Sequence, residues 1–146
     1  MTELGFYQLS TRSLEAVLPK LLEKAYAAGH RVLVRCRDDA QLALLDERLW
    51  TYEDASFLPH GTAGEEHPIL LMTDIAAHDG YTLLALPGGA LPNDVTAFDR
   101  VLYLFDGNDE AELLQARSDW KAAKLNQEVA PVYWRAGETG GWEKAG

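Results

Sequence analysis

The chain lacks several features that assign proteins to a class at first sight. It has one cysteine in 146 residues, so an internal disulfide is excluded and the reducing cytoplasm is the expected location. No apolar run approaches the roughly 18 residues of a candidate membrane helix. The opening MTELGFYQLS has no basic segment before an apolar run, so we expect neither a secretory signal nor contact with a membrane.

The signatures of common enzyme sites are also missing. There is no glycine-rich phosphate loop, no Gly-x-Ser-x-Gly elbow, no HExxH helix and no CxxC pair. Cys36, at the predicted end of a strand, has no neighbouring base, and we interpret it as a packing thiol. A nucleotide-binding or hydrolytic α/β enzyme therefore stays an alternative without motif support, and we predict no cofactor, no metal and no catalytic residues.

Basic residues are scarce. Lysine and arginine total 13 against 23 acidic residues, which gives a net charge of −10. A chain of this charge repels phosphate backbones at long range, so we expect any contact with DNA to be made indirectly, through a partner. Direct binding of single-stranded DNA through Trp120 and nearby lysines is an alternative that the net charge disfavours.

What the chain does contain is an ordinary globular composition, with 47% apolar and 25% charged residues. Its length suits one domain, residues 1–146. Apolar periodicity predicts helices at 11–30, 38–50 and 106–127, and strands at 4–9, 31–36, 56–58, 68–72, 81–86, 100–105 and 128–134. This alternation predicts an α/β fold: a single-domain, three-layer sandwich with a mostly parallel, Rossmann-like sheet.

A few residues predict local structure. Pro19 either kinks the first helix or indicates that it starts later than residue 11, and Gly29 marks its end. Pro131 donates no ladder bond and predicts an edge position for the last strand. Gly107, in the turn LFDGND, is predicted to have a positive φ.

The loop SFLPHGTAGEEHPILL, residues 56–71, contains residue types that bind metals. His60 and His67 are seven residues apart without a helix to aim both at one ion. Glu65 and Glu66 are neighbours that tend to point in different directions. We therefore predict a solvated connection rather than a metal site.

The predicted last helix has a more informative segment, ARSDWKAAK. At about 100° per residue, Arg117, Trp120, Lys121 and Lys124 fall within roughly a third of the helix circumference. This pattern fits a solvated helix face with a core tryptophan. It fits equally a receptor for a small anionic and partly aromatic group, in which arginine binds a carboxylate and tryptophan forms an apolar wall.

A second segment, LWTYEDASFLP, places Trp50, Phe57 and Pro59 around a helix end and the following turn. Large apolar residues at such a place are more often core than surface. If several are exposed together, they form a docking patch of the kind that carries interface energy.

The sequence also resembles a known family. GFYQL, GHRVLVRC, LDERLW, SFLPHG, LFDG, ARSDWKAAK and YWRAGETGGWEKAG resemble, in this order, the chi subunit of bacterial DNA polymerase III. The resemblance covers essentially the whole chain, and LDERLW followed by SFLPHGTAGE is its most specific stretch.

The resemblance implies a small non-catalytic accessory subunit of the clamp-loader assembly, with a nucleotide-binding-like fold and no nucleotide chemistry. It implies that Arg117, Trp120, Lys121 and Lys124 bind the acidic C-terminal tail of the single-stranded-DNA-binding protein, which ends in an aromatic residue with a free carboxylate. Trp50, Phe57 and Pro59 correspondingly face the psi subunit, or in some relatives an XPD-like helicase. Some relatives carry tyrosine or arginine where this chain has Trp120 and Lys124.

Overall fold

A computed structural model describes residues 1–10, 12–51, 59–62, 67–74, 80–136 and 141–145. Within these ranges, eight strands form one sheet and three helices pack on it, which confirms the predicted α/β sandwich. The helices are α1 (Leu14–Ala27), α2 (Asp39–Thr51) and α3 (Glu110–Leu125). The strands are β1 (Thr2–Leu9), β2 (Val32–Arg35), β3 (His60–Gly61), β4 (Ile69–Met72), β5 (Leu83–Pro87), β6 (Arg100–Asp106), β7 (Val129–Ala136) and β8 (Trp142–Lys144).

The strands lie in the order β3-β4-β2-β5-β6-β1-β7-β8, and every neighbouring pair except β7–β8 is parallel. Because successive side chains of a strand point to opposite faces, each central strand supplies two cores. In β1, Tyr7 and Leu9 enter the core under α1 and α2, whereas Leu4 and Phe6 enter the core under α3. None of the helices in the described ranges has the length and apolar character to cross a membrane.

Helix α1 starts at Leu14, later than the pattern predicts, and still contains Pro19. A proline at this position has no N–H for the carbonyl oxygen of Glu15, four residues earlier. Arg48 of α2 donates its Nε–H to that oxygen at 3.2 Å. The proline is thus accommodated because the neighbouring helix replaces the missing donor. Gly29, with a φ of 90°, follows the end of the helix as predicted.

The prediction of an edge position for the strand of Pro131 is wrong for the strand as a whole. β7 lies between β1 and β8, and the short edge strand β8 was not predicted. The register explains how the proline is tolerated. Strand β8 pairs with residues 134–136, and on that side no strand in the described part of the chain pairs with Pro131. Polar and glycine residues around β8 hide its pattern in the sequence.

The prediction for Gly107 is also wrong, since its φ is not in the left-handed region. A Cβ atom at this position would lie 2.5 Å from Nε2 of Gln8, which is closer than Cβ atoms come to other atoms in real proteins. Glycine suits the turn after β6 because the side chain of Gln8 from β1 lies against it, which local sequence does not reveal. The predicted strand at 56–58 lies outside the described residues.

Phe6 is the side chain on which we expect stability to depend most. It is fully buried, and its ring centroid lies 4.5 Å from that of Tyr103 and 5.3 Å from that of Trp120. Phe6→Ala should lower the free energy of unfolding by roughly 3–5 kcal/mol, measured by urea denaturation. Leu125→Ala, at an 85% exposed position, is the control and should change it by less than about 0.5 kcal/mol. Equal losses for the two variants would show that this aromatic packing does not hold the fold.

Candidate functional site

Helix α3 carries four of the predicted site residues, and its ends follow from the sequence. Asp109 is the N-cap, and its side chain accepts a hydrogen bond from the backbone N–H of Glu112 at 3.1 Å. Acidic residues occupy the first turn and Lys124 the last, which complements the helix dipole. The helix therefore runs without interruption through the segment that contains the cations.

Arg117, Lys121 and Lys124 are exposed, and Trp120 is half-buried between them. On a regular helix these four side chains span about 100° of the circumference. The structure thus brings the four predicted residues together on one side of α3. We refer to these four residues as the α3 cationic face.

Trp120 belongs partly to the core and partly to the surface. Its ring packs edge-on against Phe6 of β1 at 5.3 Å and against Tyr133 of β7 at 5.5 Å between centroids. The Nζ of Lys124 lies 5.4 Å from the centroid of the indole, a cation–π geometry. The inner edge of Trp120 is therefore packed in the core, and its outer part borders the cations.

Within the described residues, the positive charges of this face are not paired with carboxylates. None of Arg117, Lys121 and Lys124 forms an ion pair with any residue that the structure describes. Asp119, on the same helix, points to the other side, where its Oδ2 accepts from the hydroxyl of Tyr103 at 2.5 Å and from the N–H of Leu91 at 3.2 Å. The face is therefore locally positive although the chain carries a net charge of −10.

Strand β7 adds two residues that the helical pattern did not reveal. Tyr133 is half-buried beside Trp120, and its hydroxyl hydrogen-bonds to Oε1 of Gln8. Burial raises the pKa of Tyr133, and the nearby charges of Arg135 and Arg117 oppose this rise. Arg135 is exposed and forms no ion pair with the described residues. The period-two alternation of β7 places both residues on one face, but only the fold shows that this face adjoins α3.

Of the second predicted surface, the structure describes Trp50 and Pro59. Trp50 is 57% exposed, and its ring lies over that of His60 at 4.6 Å between centroids. Pro59 is half-buried and precedes His60 in the chain, so the two predicted residues lie near each other. Phe57 lies outside the described residues.

The described residues of the loop at 56–71 are less solvated than predicted. His60 is buried, because β3 pairs with β4 and α2 packs beside it, and its Nε2 lies 3.3 Å from Oδ1 of Asp46. His67 is half-buried, and Glu65 and Glu66 lie outside the described residues. Among the residues with a described position, no group of three potential metal ligands occurs.

A crevice of about 550 Å³ opens beyond the carboxyl ends of β1, β2, β5 and β6. This is the place where Rossmann-like folds bind nucleotides. Its ionisable lining includes Arg12 and Arg37, but also four carboxylates, those of Glu15, Asp38, Asp106 and Glu112. Burial raises the pKa of Glu112, whose Oε1 accepts a hydrogen bond from the N–H of Asp106. A lining with more carboxylates than cations does not favour a phosphate group.

The mostly parallel sheet, with helices on both of its faces, places the chain among the three-layer α/β proteins. Residues 1–129 match the family model described as DNA polymerase III chi subunit, HolC. The chain therefore belongs to the DNA polymerase III chi subunit family. The matched residues include the whole α3 cationic face and end at the first residue of β7.

Individual relatives match over shorter segments. DNA polymerase III subunit chi of Pseudomonas aeruginosa is 38% identical over 76 residues, which cover 49% of this chain and 54% of the relative. The corresponding subunit of Escherichia coli is 38% identical over 53 residues, 36% of either chain, and that of Haemophilus influenzae is 35% identical over 63 residues, 41% of this chain and 44% of the relative. The chain thus aligns with 36% to 54% of the length of these curated relatives.

Cys36 is fully buried, and burial raises the pKa of its thiol to about 12. Because the thiolate is the reactive form, we expect no reaction of the folded protein with Ellman's reagent at about pH 8. After denaturation in guanidinium, one thiol per chain should react, which is the internal control. Rapid reaction of the folded protein would contradict the interpretation of Cys36 as a packing residue.

Proposed function

We propose that this chain is a non-catalytic adaptor subunit of the replicative DNA polymerase III assembly, associated with the clamp loader. Its α3 cationic face binds the acidic C-terminal tail of the single-stranded-DNA-binding protein. The observation that supports this most is the presence of three exposed, unpaired cations around a half-buried indole, within the described part of a strongly acidic chain. Membership of the chi family is consistent with this role.

The proposed contact combines charge with apolar burial. Arg117 offers a planar guanidinium that binds a carboxylate through two parallel hydrogen bonds, and Lys121 adds positive charge one turn along the helix. The exposed part of the Trp120 ring, beside Tyr133, provides an apolar surface for the terminal aromatic side chain. Exposed ion pairs contribute about 0–1 kcal/mol each, so several cations and the ring must act together.

Lys124 has a distinct part in this arrangement. Its ammonium lies over the indole of Trp120, and this cation–π interaction favours contact between the lysine and the ring. A lysine provides a point charge and no planar fork. We therefore assign Lys124 to an upstream carboxylate of the tail and Arg117 to the terminal one. A weak contact of this kind gains strength when several tails of one oligomeric partner are near.

The second part of the proposal concerns Trp50, Phe57 and Pro59, which we call the docking patch. We assign it to the psi subunit or to a helicase-like partner. An exposed tryptophan is the residue type most enriched among those that dominate interface energies, and 57% of Trp50 is accessible. Its described residues, Trp50 and Pro59, lie near the end of α2, and α2 packs on the sheet face opposite to α3. Both partners therefore have room to bind at the same time.

Two alternatives have weaker support. A nucleotide-binding or hydrolytic enzyme would use the crevice beyond the strand ends, where carboxylates outnumber arginines. A thermal-shift screen with nucleotides and divalent ions distinguishes this function from the adaptor.

Direct binding of single-stranded DNA would use Trp120 and the lysines, and the net charge of −10 opposes it. A gel shift with the isolated protein decides between direct and indirect contact.

Charge reversal tests the tail site directly. Lys121→Glu should weaken binding of a fluorescent acidic tail peptide roughly fivefold to tenfold, because an attraction becomes a repulsion. Lys20→Glu, at an exposed position of α1, makes the same change in net charge on the other face of the sheet and is the matched control. Both variants should unfold at the temperature of the parent chain. Equal affinities for Lys121→Glu and the parent would remove the proposed site.

The salt response tests the electrostatic part of the proposal. Raising sodium chloride from about 50 mM to about 300 mM should weaken tail binding several-fold, because exposed charges are screened at these ionic strengths. Fluorescence anisotropy titrations at a series of salt concentrations measure this. An affinity that stays constant across the series would show that the cations do not attract the tail.

A further inference from the structure

Arg135 lies outside the residues that define the α3 cationic face, and it also lies beyond the part of the chain that matches the family model. We infer that Arg135 of β7 binds the terminal carboxylate of the tail together with Arg117, across the ring of Tyr133. This inference rests on the proposed function, because it assigns one more contact within the same site. It places the end of the tail in the groove between α3 and β7.

The first support is the position of Arg135 on the strand. Residues two apart in a strand share a face, so Arg135 points to the same side of the sheet as Tyr133. Tyr133 packs edge-on against Trp120 of α3 at 5.5 Å, so this side faces the helix. Arg135 therefore lies two residues beyond Tyr133, the residue that joins β7 to the α3 cationic face, and on the same side of the strand.

The second support is the charge environment around Tyr133. Burial raises the pKa of Tyr133, and the charges of Arg117 on the helix and Arg135 on the strand both oppose this rise, so both charges lie in the surroundings of its hydroxyl. Gln8, the partner of Arg135 in the parallel register of β1 and β7, is neutral and is hydrogen-bonded to Tyr133. Two guanidinium groups beside an aromatic ring suit a carboxylate attached to an aromatic residue.

The third support is that Arg135 is available. It is exposed and has no ion pair with the described residues. Glu143 of β8 is its partner in the antiparallel register, so a carboxylate is near, but the two side chains do not form an ion pair. A tail carboxylate held by both Arg135 and Arg117 has an advantage over Glu143, because it contacts a second cation.

A double-mutant cycle between protein and peptide tests this contact. The probes are two fluorescein-labelled acidic peptides that end in phenylalanine, one with a free C-terminal carboxylate and one with a C-terminal amide. The parent chain should prefer the free acid. Arg135→Gln should weaken binding of the acid peptide roughly threefold to tenfold. This loss lies between the contribution of a single exposed ion pair and that of a bidentate ion pair to the affinity. The same variant should leave the affinity for the amide peptide nearly unchanged.

The controls separate this inference from the proposed function. Arg12→Gln removes an exposed arginine of the β1–α1 loop, loses the same charge and should leave both affinities unchanged. If the acid peptide does not bind the parent chain at all, the proposed function fails and this inference fails with it. If Lys121→Glu weakens binding and Arg135→Gln does not, only the inference is overturned. Equal weakening of both peptides by Arg135→Gln also overturns it, because Arg135 then acts as a general positive charge.

Discussion

The packing of three aromatic rings holds the candidate site in place. Phe6 of the central strand β1 is fully buried, and the rings of Trp120 from α3 and Tyr133 from β7 meet it and each other. With its inner edge packed in this way, Trp120 sets the rotation of α3 about its axis. The cations at neighbouring helical positions must then point outward. Because protein interiors are closely packed, α3 cannot take another rotation about its axis without losing these contacts. The direction of the surface cations therefore depends on the packing of the core.

The distribution of charge explains how an acidic chain can offer a positive site. Asp119 lies on the side of α3 away from the α3 cationic face. There its carboxylate accepts hydrogen bonds from the hydroxyl of Tyr103 and from the backbone N–H of Leu91. At physiological salt, exposed charges act over about 8 Å, so a short acidic tail responds to the local cations more than to the net charge of −10. A long polyanion such as DNA covers more of the acidic surface. On the proposed function, the same chain therefore attracts a peptide tip and repels a nucleic acid.

Much of the fold could be predicted because hydrophobic periodicity is a local property. Three helices and the central strands lie where the pattern places them, with ends that differ by a few residues. The errors concern residues whose environment is non-local. Gly107 lies against the side chain of Gln8, His60 is buried by α2 and β4, and β7 is covered at one end by a three-residue strand whose pattern is too short to recognise. Of the candidate site, the helical half was predictable, whereas Tyr133 and Arg135 join it only through the sheet order.

By itself, the sequence determined the α/β class, the four residues of the α3 cationic face and the net negative charge, because each follows from composition or from the spacing of neighbours. Only the tertiary structure decided how Trp120 is divided between core and surface and which strand borders α3. These outcomes depend on contacts between residues far apart in the chain, such as Phe6 with Trp120 and Gln8 with Tyr133. A repeating pattern in one segment carries no information about which distant segment will cover it. The neighbours of each element are therefore set by tertiary packing.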